Sequence, residues 1–309
     1  MVSALSAPHF HNEEAAYAYV EARIWPNGPV CPHCGGVERI SKMQGKSTRI
    51  GAYKCYQCRK PFTVKVGTIF EASHVAMNLW LQAMYLIAGS KKGISSNQLH
   101  RTLGVTLKTA WFMSHRIREA MKSGATGMFG AGGGFVEADE TFIGHTGGTS
   151  RLAIHNMNKV VSLIDRNTGR ASSVVFTGHF SHKSIGPILA RHMAPDAVLM
   201  TDEAHHYKTV GARYSAHHTV NHARGEYVRK GDVTIHSNTV EGFFSIFKRG
   251  MKGIYQHCGS QHLHRYLAEF DFRYTNRVAF GVNDTERADI LLAGVVGKRL
   301  TYQTTAGKA

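Results

Sequence analysis

Cys31-Pro-His-Cys34 and Cys55-Tyr-Gln-Cys58 set two Cys-x2-Cys pairs twenty residues apart, a spacing that suits one tetrahedral Zn²⁺. Four thiolates leave no open coordination position, so the ion is expected to be structural and to staple a small ribbon. Two disulfides are the competing reading, and a basic chain without a secretory signal argues against them. The second set is acidic. Asp139 lies inside an apolar run (Phe135, Val136, Ala138) and Asp202 closes another (residues 197–200), although strand interiors seldom accept a carboxylate without a partner or a metal. Two adjacent strands that each offer an aspartate, with a third ligand from a later helix, suit a pair of Mg²⁺ or Mn²⁺ ions and phosphoryl transfer. Glu241 is the third candidate. Lys248, seven residues on along the same helical face, is placed to hold a phosphate.

Plainer readings stand beside these. Asp139 could pair with a Lys or Arg, Asp202 could start a turn, and Asn238-Thr239-Val240-Glu241 has the spacing of a helix capping box. Glu137 and Glu140 are expected to flank the site, turned away from Asp139's face. His205, His206 and His236 lie near the acidic motifs, where an imidazole can approach a phosphate, and Cys258 has no ligand spacing around it.

The elements that must position these groups follow from the pattern. Residues 11–24 read as a helix behind an Asn12 cap, stopped by Trp25-Pro26-Asn27-Gly28-Pro29. The ribbon comes next, as one hairpin between the knuckles and a second strand pair turning at Gly67. A helix over 77–89 precedes a pair, 95–103 and 106 onward, joined at Gly104. This is a helix-turn-helix pattern, with Leu99, Leu103, Val105 and Ala110 inside and Lys108, His115, Arg116 and Arg118 expected to meet phosphates. A plain helical bundle with a basic face is the alternative. The glycine-rich stretch 123–134 reads as a linker, and beyond it strands and helices alternate as β-β-β-α-β-β/α-α. Arg265 and Arg273, with aromatic residues between them, read as a helix whose arginines track a DNA backbone or form a solvated face.

Composition agrees. Lys and Arg outnumber Asp and Glu by 37 to 21, a net charge of +16 that favours a polyanionic partner. The apolar run at 75–88 is too short and too interrupted to span a membrane and the first thirty residues carry Glu13 and Glu14 rather than a basic signal start, so a cytoplasmic, non-membrane protein is expected; the absence of GxxxxGK[ST] argues against a P-loop.

The segments CPHCGG, YKCYQCRKPFTVKVGTIFEAS, VEADETFIG, TDEAHHY and HSNTVEGFFSIFKRGMKGIYQH, in that order, resemble the zinc-ribbon insertion-sequence transposases with an ISXO-type DDE domain. The resemblance covers roughly residues 10–280. It implies an α/β fold with a ribonuclease-H-like mixed sheet, divalent-metal dependence, and cleavage and joining of double-stranded DNA at terminal inverted repeats and a target, by a homo-oligomer. It also places the first two family aspartates on Asp139 and Asp202 and the downstream basic residue on Lys248. The third position falls on Glu241 or Asn238, with Glu241 preferred because a carboxylate binds a hard cation better than an amide. The expected domains are an N-terminal helix (1–28), zinc ribbon (29–72), helix-turn-helix region (73–122), linker (123–134), transposase domain (135–290) and tail (291–309). A zinc-ribbon DNA-binding regulator with a non-catalytic C-terminal domain is the alternative function.

Overall fold

The computed structural model describes residues 3–122, 124, 127–146, 148, 150, 152–176 and 178–301. These fall into two units, residues 1–122 with 283–309 and residues 123–282. In the first, α1 (Glu13–Ile24) starts where the Asn12 side chain accepts the N–H of Ala15. The ribbon is an antiparallel sheet in the order β1 (Ile40–Lys42), β2 (Tyr53–Cys55), β3 (Pro61–Phe62), with Trp25, Tyr53 and Phe62 packed edge or face beside Cys31 and Cys55. The second strand pair expected around Gly67 does not form. Phe62 pairs with Tyr53 instead, and Thr68 bridges to Val296.

Helix α2 (Met77–Gly89) buries Trp80, Met84 and Ile87. Beside it α3 (Ser96–Leu103) and α4 (Leu107–Met121) are each capped by the hydroxyl before them, Ser95 and Thr106. Gly104, at φ 65°, makes the turn between them. Leu99, Leu103, Ala110, Met113 and Ile117 are all buried, so the sequence pattern has become a packed helix-turn-helix.

The second unit is a five-stranded mixed sheet. In chain order it comprises β4 (Phe135–Ile143), β5 (Asn158–Asp165), β6 (Ala171–Phe176), α5 (His182–His192), β7 (Val198–Thr201), α6 (His205–Gly211), β8 (Ala216–Thr219), α7 (Asn238–Gly250) and α8 (Leu263–Thr275). The strand order is β6-β5-β4-β7-β8, antiparallel from β6 to β4 and parallel from β4 to β8. Alternation along β4 and β5 decides the layers. Val136, Ala138, Val161 and Leu163 pack against Ile185, Leu189, Tyr207 and Val210 of α5 and α6, whereas Ile143, Val160 and Ile164 pack against Phe243, Phe247, Leu267 and Phe270 of α7 and α8. Helices on both faces of this mixed sheet give the ribonuclease-H-like architecture. Helix α6, between β7 and β8, has no counterpart in the expected order of strands and helices.

Three expected boundaries need correction. The described part of the linker is packed: Phe129 is buried, bonds through its backbone to His192 and Ala194, and hands over at Gly130, where a Cβ would lie 2.5 Å from that of Ala197. Ser123, Ala125 and Thr126 lie outside the described residues. Helix α9 (Asp284–Ala293) packs on α1 and α2 in the first unit rather than ending the domain expected over 135–290. The tail is docked as far as it is described, since Val295 accepts from Ile69 N–H and Lys298 donates to the carbonyls of Ala120 and Lys122; residues 302–309 lie outside the described residues.

Candidate active site

Strand β4 runs beside β7 with Val136 opposite Leu199 and Glu137 opposite Met200. Two residues further along each chain stand Asp139 and Asp202, so the parallel register brings the two aspartates to one level. Asp139 accepts one hydrogen bond, from the N–H of Glu140 at 2.7 Å. Burial, followed by the charges of Glu140, Asp202 and Glu241, pushes its carboxyl up to about 8. Asp202 is raised as well, by burial and by Glu140 and Glu203, against a bond from Ala204 N–H. Glu241 sits in the first turn of α7, where its Oε1 accepts from Ser237 Oγ at 2.8 Å and lies 3.3 Å from His222 Nε2. Carboxylates on β4, after β7 and on α7 therefore share one field, and they are hard oxygen donors of the kind Mg²⁺ or Mn²⁺ takes.

The flanking glutamates separate in a way the sequence reading missed. Glu137, two residues from Asp139, shares its face of the strand; the expectation that it turns away is corrected by the period of two. It is fully buried, pairs with Arg166, lies 3.3 Å from His236 Nδ1 and accepts the N–H of Val240 at 2.8 Å. Glu140 points to the other face, bonded by Tyr207 Oη at 2.6 Å and lying 3.0 Å from His206 Nε2. The capping box is also corrected. Asn238 is the first helical residue, exposed, while Ser237 takes the N-cap position and donates to Glu241. Lys248 is half-buried, two turns along α7 from Glu241. His205 is exposed and Cys258 half-buried at the edge of the α7–α8 core.

In the first unit, Cys31 Sγ lies 3.6 Å from Cys58 Sγ and Cys34 Sγ lies 3.7 Å from Cys55 Sγ. A tetrahedral Zn²⁺ with bonds of about 2.3 Å separates its sulfurs by about 3.8 Å, so these thiols stand at the spacing the ion requires and well beyond a disulfide. Among the described residues they are the one group of potential ligands with donor atoms mutually within 4.8 Å. Asp139, Asp202 and Glu241 do not close to that spacing as a trio.

The family model described as a transposase zinc-ribbon domain matches residues 11–61, and the model described as an ISXO2-like transposase domain matches residues 132–275. Residues 11–61 and 132–275 thus match the two domain families of zinc-ribbon, ISXO2-like transposases. An uncharacterized protein in transposable element ISH50 of Halobacterium salinarum is 26% identical over 283 residues, covering 85% of this chain and 91% of the relative. A chain from the cryoEM structure of the simian T-cell lymphotropic virus intasome in complex with PP2A regulatory subunit B56 gamma aligns at 15% identity with a TM-score of 0.30, over 56% of this chain and 63% of that one. The chain thus spans less than two thirds of that structure's length.

Several arginines expected to meet DNA are structural. Arg116 is buried and donates to the carbonyls of Ile69, Glu71 and Leu300. Arg118 is buried with a bond to Ser114 Oγ, His115 is fully buried, and Arg273 is buried against Glu269. Helix α4 is enclosed from Met113 to Arg118, so only its first turns reach solvent. Lys108 is exposed there, as are Lys91, Lys92, Asn97, Gln98 and Arg101 on and before α3. Arg265 is half-buried with a bond to His262. Exposure was the missing signal. A one-sided helical count cannot show that α2, the 69–71 segment and the docked tail cover a second side of α4. No helix among the described residues is long and apolar enough to cross a membrane.

Proposed function

We propose that the chain cuts DNA at the ends of an insertion element and joins the freed 3′ ends to target DNA. The observation that carries this reading is the placing of Asp139 and Asp202 at one level of adjacent parallel strands, with Glu241 of α7 in the same field. These three carboxylates would hold divalent cations, Mg²⁺ or Mn²⁺, and Asn238 is the alternative third ligand. A bound cation supplies Lewis-acid charge that favours an ionised nucleophile and offsets charge on the leaving oxygen.

The chain's own groups do the rest. Burial and the neighbouring carboxylates raise the Asp139 carboxyl to about 8, so a positive charge arriving at the site would favour its ionised form. Lys248 would hold the phosphate flanking the scissile bond. In the first step the oxygen of water bonds to phosphorus and the 3′ oxygen leaves, giving a 3′-hydroxyl and a 5′-phosphate. That hydroxyl then attacks a target phosphodiester, one such bond replacing another, so no nucleotide cofactor is required.

Docking to duplex DNA is assigned to the first unit, which holds 20 Lys and Arg against 9 Asp and Glu, and within it to the exposed face of α3 and the first turns of α4. No Asp or Glu occurs between Glu71 and Glu119. Work on two element ends implies a homo-oligomer on DNA. The zinc-loaded protein should therefore nick a duplex carrying its element's ends in Mn²⁺ and then join the 3′-hydroxyl products to a second duplex. Tight binding with intact strands would favour a DNA-binding regulator instead, and nicking without joining a stand-alone nuclease.

A further inference from the structure

Helix α7 carries Glu241 yet has no side-chain cap of its own, because the Ser237 hydroxyl at its N-cap is directed to Glu241. Four N–H groups at a helix start need acceptors. One is met from outside the helix: Glu137 Oε2, on the strand that bears Asp139, accepts the N–H of Val240. The other oxygen of Glu137 pairs with Arg166 Nε, and the same guanidinium donates to the carbonyls of Thr234 and His236 in the segment leading into α7. Arg166 is itself anchored, its N–H bonded to Phe135 O at the start of β4.

We propose that Glu137 and Arg166 form a clamp of positioning residues that fixes the start of α7, and with it Glu241, at a set height against Asp139. The clamp is local to the site. It grips residues 234–240 at three backbone points, and the buried carboxylate brings its own counter-charge, so it adds no net charge beside Asp139 and Asp202. Its location explains why an acidic residue is tolerated at full burial one pleat from the catalytic aspartate. A short covalent path, Glu137 to Asp139 along β4 and Val240 to Glu241 along α7, links the capping bond to both carboxylates.

This inference rests on Glu241 being a metal ligand, and its test has one arm that does not. In the zinc-loaded full chain, amide hydrogen exchange and Mn²⁺ titration are measured for wild type and Glu137→Ala. The clamp predicts at least tenfold faster exchange confined to residues 234–242, unchanged exchange in α8 and in the first unit, and Mn²⁺ bound about tenfold more weakly. Glu137→Gln, which keeps an acceptor for Val240, should recover most of the protection. Should Glu137→Ala fail to fold, Arg166→Gln, which leaves the Val240 cap in place, should speed exchange at 234–237 and weaken Mn²⁺ binding at least threefold. A folded variant with unchanged exchange overturns the clamp. Faster exchange with unaltered Mn²⁺ affinity overturns its positioning role. A wild-type protein that binds no Mn²⁺ refutes the catalytic reading, and the exchange result still decides whether the clamp exists.

Discussion

Arg116 donates from Nη1 to the main-chain oxygen of Ile69 at 2.8 Å, so a side chain whose position in a recognition helix suggests a phosphate contact instead ties that helix to the end of the ribbon segment. Glu71 O and Leu300 O are bound by the same guanidinium. Arg116→Ala should therefore lower stability by about 2–4 kcal/mol, since it strands buried carbonyls, and reduce DNA affinity only as far as folding is lost. Thermal melts read alongside binding would check this: an unchanged melting temperature with weakened binding would return Arg116 to the DNA.

The DNA contacts should come from the exposed cations. Replacing Lys91, Lys92, Arg101 and Lys108 together with Gln should leave the melting temperature within a few degrees of wild type. It should flatten the slope of log affinity against log salt by about 3–4 units, close to one per lost phosphate contact. An unaltered slope would move the duplex to another face.

Much of this was legible in the sequence, and the exceptions have a common cause. Short-range patterns carried through: the cysteine spacing and the helix pair starting near 95 and 106 around Gly104. What failed was set by partners distant in the chain. Arg116 and Arg118 are enclosed by segments that sequence spacing does not bring near, α9 returns to a unit 160 residues earlier, and Glu137 caps a helix 103 residues away. Glu137 alone was within reach, since a period of two puts it on Asp139's face.

Zinc should hold the ribbon together. The buried apolar residues around Cys31 and Cys55 are few, so metal binding contributes much of the folding free energy there. One Zn²⁺ per chain is expected by metal analysis, and Cys55→Ser should release it and unfold residues 29–62 while leaving the circular dichroism of the second unit in place. Protein purified without chelators that contains no zinc would contradict this.

A pH effect should come from Asp271 of α8, whose carboxyl accepts the N–H and hydroxyl of Ser173 and is pushed up to about 7 by burial. A folded-state pKa above the unfolded value gives stability that is fully present below about 4 and lost as pH rises through about 7. Asp271→Asn removes the titration. Its melting temperature relative to wild type should be highest above pH 8 and should decline steadily toward pH 4; a constant difference across that range would show that Asp271 ionises normally.

The central claim is that Glu241 completes a carboxylate site with Asp139 and Asp202, and the most direct measurement is the rate of strand cleavage by Glu241→Gln on an end-containing duplex at saturating Mg²⁺. A neutral amide cannot match a carboxylate for a hard cation. Cleavage should fall by at least a hundredfold, to the level of Asp139→Asn, with folding and DNA binding retained. Cleavage at the wild-type rate by Glu241→Gln would contradict the account and transfer the third ligand to Asn238.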